Sequence, residues 1–295
     1  MRFLSDRYRR PVLEYIYIPI TLECNRNCKG CVSCSPLAGK ETRITMVQYT
    51  KTLERLIEIA GTETIQKIDI SGGEPLIHPD VLEFLKVTKN IFNNSIIEIR
   101  TNGILLPAFI EENYKLLQEL NIQIGYSEYP GIDLEGISYL CRKYNLNRNP
   151  RWGGSEFKFI KMGVCERANY LDMNEEWDKC CDKNSCNNIR IIGDRAYFTG
   201  CTAPVYVDVL DKYFGTSFEK LLKKGDRIDL FDKNTTLDDL LNFHQPIMFC
   251  AHCRRRTNTF FDNTKLSGKS KDEWLVIEGG DEAKNTDHNR SVLKL

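Results

Sequence analysis

Three cysteines crowd into eight residues near the N-terminus: Cys24, Cys28 and Cys31, in the run Glu23-Cys-Asn-Arg-Asn-Cys-Lys-Gly-Cys31. Thiols spaced C-x3-C-x2-C, directly after an apolar β-like run, are poorly explained by packing. As thiolates they are soft ligands for iron–sulfur or zinc chemistry. On a four-iron cluster, three sulfurs leave one iron for a ligand the protein does not supply. A second cysteine pattern lies in the C-terminal half. Cys186 precedes an apolar run at 189–192, a Gly193-Asp194 turn, a second run at 195–198 and then Cys201. A helical spacer, Pro246 and Cys250-Ala-His-Cys253 follow. Runs on either side of Gly-Asp predict a β-hairpin that brings Cys186 close to Cys201. Cys186, Cys201, Cys250 and Cys253 thus form a candidate ligand set. Four thiolates suit zinc or an iron–sulfur cluster alike, and spacing does not choose.

The elements around these cysteines alternate. Residues 13–20 read as a strand that delivers the first cysteine loop, and 45–60 as a helix ending at Gly61. Strand-like runs at 65–70, 96–100, 122–127 and 156–161 are separated by helical patterns at 80–90, 107–120 and 134–144. Repeated βα order predicts a parallel sheet with covering helices, with its chemistry at the C-terminal ends of the strands. Polar motifs fall at those ends. Ser71-Gly72-Gly73-Glu74-Pro75 follows the second strand, Thr101-Asn102-Gly103 the third, and Ser127-Glu128 the fourth. Glycines let backbone approach a ligand closely, and the Glu74 charge suits an ammonium group.

Composition narrows the class. The 295 residues hold 41 Lys+Arg against 41 Asp+Glu, a balance that argues against a nucleic-acid binder. Arginines near the start are not followed by an apolar signal-peptide core, and no run approaches a membrane span. A cytoplasmic protein with no membrane partner is expected. Twelve cysteines in short-spaced groups fit metal ligation in a reducing compartment better than a disulfide framework.

Taken together, C-x3-C-x2-C and the three polar strand ends resemble the radical S-adenosylmethionine (SAM) enzymes, whose core is a partial (β/α)6 TIM-like barrel. The resemblance implies that Cys24, Cys28 and Cys31 hold a [4Fe–4S] cluster completed by SAM. It implies that Gly72, Gly73, Glu74 and Pro75 hold the SAM amino group, and that Thr101 and Ser127 lie near its carboxylate and ribose. One departure is Gly30, where the family usually carries an aromatic residue against the adenine. The run Cys34-Ser35-Pro36-Leu37-Ala38 resembles members associated with small-molecule or surface-glycan biosynthesis. The C-terminal half resembles the twitch domain, a shortened SPASM extension. By that resemblance Cys186, Cys201, Cys250 and Cys253 bind one auxiliary [4Fe–4S] cluster.

The expected organisation is a partial barrel over 1–165, a small β-hairpin and helix cluster-binding domain over 166–262, and a polar mobile tail over 263–295 with a docked piece at 274–277. The resemblance implies a one-electron donor such as flavodoxin or ferredoxin and cleavage of SAM to a 5′-deoxyadenosyl radical. That radical abstracts hydrogen from a small polar substrate, a sugar, aminocyclitol or nucleotide sugar, in an oxidation or epimerisation. A peptide maturase and a non-catalytic zinc or iron–sulfur protein are the alternatives. Only about a dozen residues precede the first strand, which favours the small molecule over a peptide with a leader. Cys165, after the 156–161 run, is expected near the barrel mouth as a candidate hydrogen donor. Cys141 is expected in the core, His78 in a structural role and His252 in solvent.

Overall fold

Isoleucines at alternate positions build the sheet. In β1 (Tyr15–Thr21), Ile16, Ile18 and Ile20 are buried against the helices, while Tyr15 and Tyr17 face the other side. Successive strand residues point to opposite faces, so this alternation sets one apolar and one polar surface. The pattern recurs as Ile68 and Ile70 in β2 (Lys67–Gly72), and as Ile97 and Ile99 in β3 (Ile96–Thr101). Ile124 and Tyr126 continue it in β4 (Gln123–Ser127), which pairs with β5 (Arg148–Arg151). These five strands are parallel, in the order β5-β4-β3-β2-β1. The computed structural model describes residues 12–151, 158–171, 173–178, 188–198, 204–242, 246–254 and 259–277.

Four helices cover the apolar face: α1 (Met46–Ala60), α2 (Val81–Ile91), α3 (Leu106–Glu119) and α4 (Leu134–Lys143). Local chemistry starts them. Thr45 and Gln48 form a reciprocal capping box on α1, Pro107 sits in the first turn of α3, and Asp133 accepts from the Gly136 N–H on α4. Cys141 is buried in the core, as expected. No helix among the described residues is long and apolar enough to cross a membrane.

The remaining elements are β6 (Lys158–Ile160), α5 (Met173–Asp178), β7 (Asn188–Ile192), β8 (Arg195–Phe198), α6 (Val207–Phe214), β9 (Ile228–Asp229), α7 (Leu237–Leu241) and β10 (Phe260–Asp262). The fold is α/β with an eight-stranded, mostly parallel sheet, in keeping with a partial barrel, and the sheet does not close. The sixth parallel strand differs from the expected one. The run at 156–161 yields only β6, which leaves the sheet and pairs antiparallel with β10. Its place is taken by β7, parallel to β1 on the opposite side from β2. Ile189 and Ile191 of β7 join the main core. The expected hairpin is present: β7 turns through Gly193-Asp194 into antiparallel β8.

A second core joins the C-terminal half to the start of the cysteine loop, with Leu22 and Cys34 packed among Val164, Tyr206, Phe249, Trp274 and Leu275. The expected mobile tail is therefore corrected over residues 263–273, while the piece expected to dock at 274–277 does pack, with Trp274 and Leu275 buried. The chain there pairs by backbone with the cysteine loop. Lys29 N–H donates to Lys265 O at 3.0 Å, and Ser267 N–H to Asn27 O at 2.9 Å. Trp274 is fully buried, and its Nε1 donates to Cys31 O at 2.9 Å. Polar composition conceals this strap because backbone hydrogen bonds, rather than apolar side chains, dock most of it. Trp274→Ala removes a fully buried ring and the donor to the third cysteine of the loop. It is expected to destabilise the protein by about 3–5 kcal/mol, read by urea denaturation, and to lower iron retained after anaerobic reconstitution.

Candidate functional site

A cleft opens at the C-terminal ends of β1 to β4. Cys24, Cys28 and Cys31 line it together with Gly72, Gly73, Thr101 and Ser127. The two glycines are required by backbone contact. Gly73 N–H donates to Thr21 O at 2.9 Å, and Glu74 N–H to Glu23 O at 2.9 Å. A Cβ on Gly72 would strike Thr21 O, and one on Gly73 would strike Leu22 O. The glycine turn therefore packs on the three residues that lead into Cys24, and any side chain there would push the cysteine loop away.

The Glu74 carboxylate is turned into the protein. It is fully buried, and both carboxylate oxygens are taken by protein. Oε1 accepts from the Thr101 hydroxyl at 2.7 Å and the Leu76 N–H at 3.1 Å; Oε2 accepts from the Asn102 N–H at 2.7 Å. Pro75 is buried in the turn Pro75–Ile77. Glu74 thus brackets the ends of β2 and β3, and Thr101 reaches the cleft already tied to it. Burial pushes the Glu74 carboxyl up to about 7, against the lowering effect of its three donors.

Asn102 carries a role the sequence reading missed. It lines the cleft, donates from Nδ2 to Asn25 Oδ1 at 2.7 Å and lies 3.6 Å from Cys24 Sγ. The polar Thr-Asn-Gly strand end was its signal. Arg26 lies 4.1 Å from the Tyr129 ring centre, and Tyr129, Phe159 and Arg100 wall the same cleft. Burial pushes the Cys24 thiol up to about 12 and Cys28 to about 11. Among the described residues, no three His, Cys, Asp or Glu side chains converge on a single metal ion. The three thiols instead surround a shared cleft, an arrangement that fits a group larger than one ion. Gly30 has a φ of 68°, and the Phe261 ring occupies the space a side chain there would need.

The second cysteine set is seen in part. Cys250 and Cys253 sit on the short helical turn Met248–His252 and just after it, whereas Cys186 and Cys201 lie outside the described residues, as do Cys180 and Cys181. Cys165 is buried beside this region and is not among the residues lining the cleft. Its N–H donates to His252 O at 2.9 Å, its carbonyl lies 3.1 Å from His252 Nδ1, and Val164 bridges Cys253. His252 is buried rather than in solvent, while His78 is structural, its Nε2 3.2 Å from Ile44 O.

Residues 18–153 match the family model of the Radical SAM superfamily. The chain carries a radical SAM domain, and that superfamily works with a [4Fe–4S] cluster and SAM. Among its relatives is the GTP 3',8-cyclase of Alkaliphilus oremlandii, 35% identical over 125 residues, covering 41% of this chain and 37% of that protein. The GTP 3',8-cyclase of Helicobacter pylori is 30% identical over 229 residues, 77% of this chain and 65% of that one. The chain spans about a third of the length of the first relatives it matches. In fold it is similar to BtrN in complex with AdoMet and 2-DOIA, with a TM-score of 0.51 and 17% identity over 83% of this chain and 94% of that one.

Two outcomes test the glycine turn and its carboxylate. Gly73→Ala should lower iron retention after reconstitution more than it lowers the urea midpoint, because the strain falls on the approach to Cys24. For Glu74, the folded carboxyl holds its proton more tightly than the unfolded one. Its stabilising effect is complete below pH 4.5 and lost as pH rises through about 7. Glu74→Gln should remove a pH-dependent loss of up to about 3 kcal/mol across that window, measured as urea midpoints of cluster-free protein between pH 4.5 and 8.

Proposed function

We propose that the protein is a radical SAM enzyme acting on a small polar molecule in the cleft, with Cys24, Cys28 and Cys31 holding the [4Fe–4S] cluster. The observation that carries this reading is the meeting of those three thiols with Gly72, Gly73, Thr101 and Ser127 in one cleft. When bound, cluster and SAM supply a one-electron reduction that yields a carbon radical able to take hydrogen from an unactivated C–H bond. The chain's own part is positioning. The glycine turn presents backbone to the cleft, Glu74 holds Thr101 and Asn102 in place, and Tyr129 and Phe159 wall it against solvent.

Cys186, Cys201, Cys250 and Cys253 are the proposed ligands of an auxiliary [4Fe–4S] cluster, and a flavodoxin- or ferredoxin-like protein is the proposed electron donor. Sugars, aminocyclitols and nucleotide sugars are the proposed substrates, with oxidation or epimerisation as the outcome. The names of the sequence relatives favour a second reading, a rearrangement of a purine nucleotide. Anaerobically reconstituted protein should hold about eight irons and eight sulfides per chain, and about half as many in the Cys24/Cys28/Cys31→Ala triple variant. Reduced and given SAM, it should release 5′-deoxyadenosine, measured by liquid chromatography. Zinc in place of iron, or no product with any reductant, would overturn the reading.

A further inference from the structure

The polar face of the sheet holds a positive charge that the SAM chemistry does not use. Among the described residues, Lys67, Asp69, Glu98, Arg100 and Arg190 stand together on its β7-to-β3 part. Four of them neutralise one another. Lys67 Nζ lies 2.7 Å from Glu98 Oε2, and Arg100 Nη2 pairs with Asp69 and, at 2.8 Å, with Glu98 Oε1. Among the described residues no carboxylate lies within ion-pair distance of Arg190, whose polar contact is a 3.2 Å bond from Nη1 to the Tyr206 hydroxyl.

Position links this charge to the cleft. Arg190 of β7 is the register partner of Tyr17 on β1. Its guanidinium lies 5.5 Å from the Tyr17 ring centre, and the Arg100 guanidinium lies 5.1 Å from the same centre. Of the two arginines, Arg100 lines the cleft. Stacking on a ring engages the face of a guanidinium and leaves its N–H groups, which point outward in the plane. The Nε atoms of both arginines are buried without a partner, and the polar contacts of Arg100 all run through Nη2. Buried, unmatched donors on planar cations suit the oxygens of a bound anion.

We infer that Arg190, with Arg100 across the Tyr17 ring, forms an oxyanion subsite that recognises a phosphoryl or carboxylate group on the substrate. The inference rests on the cleft being the substrate site, and it narrows the substrate class to acidic molecules.

The test uses cluster-reconstituted protein loaded with SAM and two probe pairs, GTP against guanosine and succinate against succinamide, followed by calorimetry. At least one charged probe should bind about tenfold or more tightly than its neutral partner; the pair that does so identifies phosphoryl or carboxylate as the group. Arg190→Gln should abolish that preference and Arg190→Lys should keep part of it. No preference in either pair, or an unchanged preference in Arg190→Gln, would overturn the subsite. Should Arg190→Gln not fold, phenylglyoxal footprinting of the wild-type protein decides: protection of Arg190 by the charged probe supports the subsite, and equal labelling with and without it refutes it. Release of 5′-deoxyadenosine by wild-type protein without any probe tests the enzyme reading separately, so either idea can fail alone.

Discussion

The close approach of two backbones holds the site together. Where β2 ends, the Gly72-Gly73 turn lies directly on the chain leaving β1, and the contact leaves no room for a Cβ. Cys24 begins one residue beyond that contact. The position of the first thiol is therefore set by strand pairing in the parallel sheet, which is among the most rigid parts of such a fold, and less by the loop's own sequence. Glu74 extends the constraint sideways. By accepting from Thr101 and Asn102 it ties the end of β3 to the same turn, and Asn102 then reaches back to Asn25. Three strand ends become one unit around the thiols. A buried carboxylate that accepts three hydrogen bonds acts here as a staple, its desolvation cost offset by those donors.

The same strands carry opposite chemistry on their two faces. Isoleucines pack on the helices, while tyrosines, lysine, arginines and acids stand on the other side. An ordinary closed barrel fills its interior with layers of side chains. In this open sheet, the corresponding face holds a hydrogen-bonded charge network that includes Tyr15, Gln123 and Asn149. Such a network keeps the face polar yet ordered, which suits a sheet that must stay open to admit a small polar molecule.

The sequence showed the parts of this arrangement that depend on local order. The cysteine spacing, the βα alternation, the helix starts at Thr45 and Asp133 and the Gly193-Asp194 hairpin all depend on neighbours within a few residues. What it hid depends on distant pairing. Two partners of Glu74, Thr101 and Asn102, lie at the end of β3, so the bracket it forms between two strand ends was not readable from the acid beside two glycines. The parallel pairing of β7 with β1 spans most of the domain, and nothing in residues 156–161 announces that β6 will leave the sheet. Arg190 was legible only as one polar residue in an apolar strand. The strap at 259–277 was masked by its polarity, since composition reports apolar burial and this segment is held largely through its backbone.

Gly30 and Phe261 show the same dependence at its most local. The resemblance led to the expectation of an aromatic side chain beside the third cysteine, and the sequence offers glycine. In the fold the gap is filled from elsewhere: the Phe261 ring sits where a residue-30 side chain would be, with the Lys29 ammonium 5.2 Å from its centre. Missing Cβ and intruding ring are two sides of one contact. A bulky residue at 30 would evict the ring, and with it the β10 segment that pairs with β6 and leads into the strap bonded to Asn27, Lys29 and Cys31. The cysteine loop consequently takes its shape from both ends of the described chain, from the glycine turn on one side and the strap on the other. A loop held from two directions can keep three thiols around a common cleft even though none of its own residues forms a helix or a long strand.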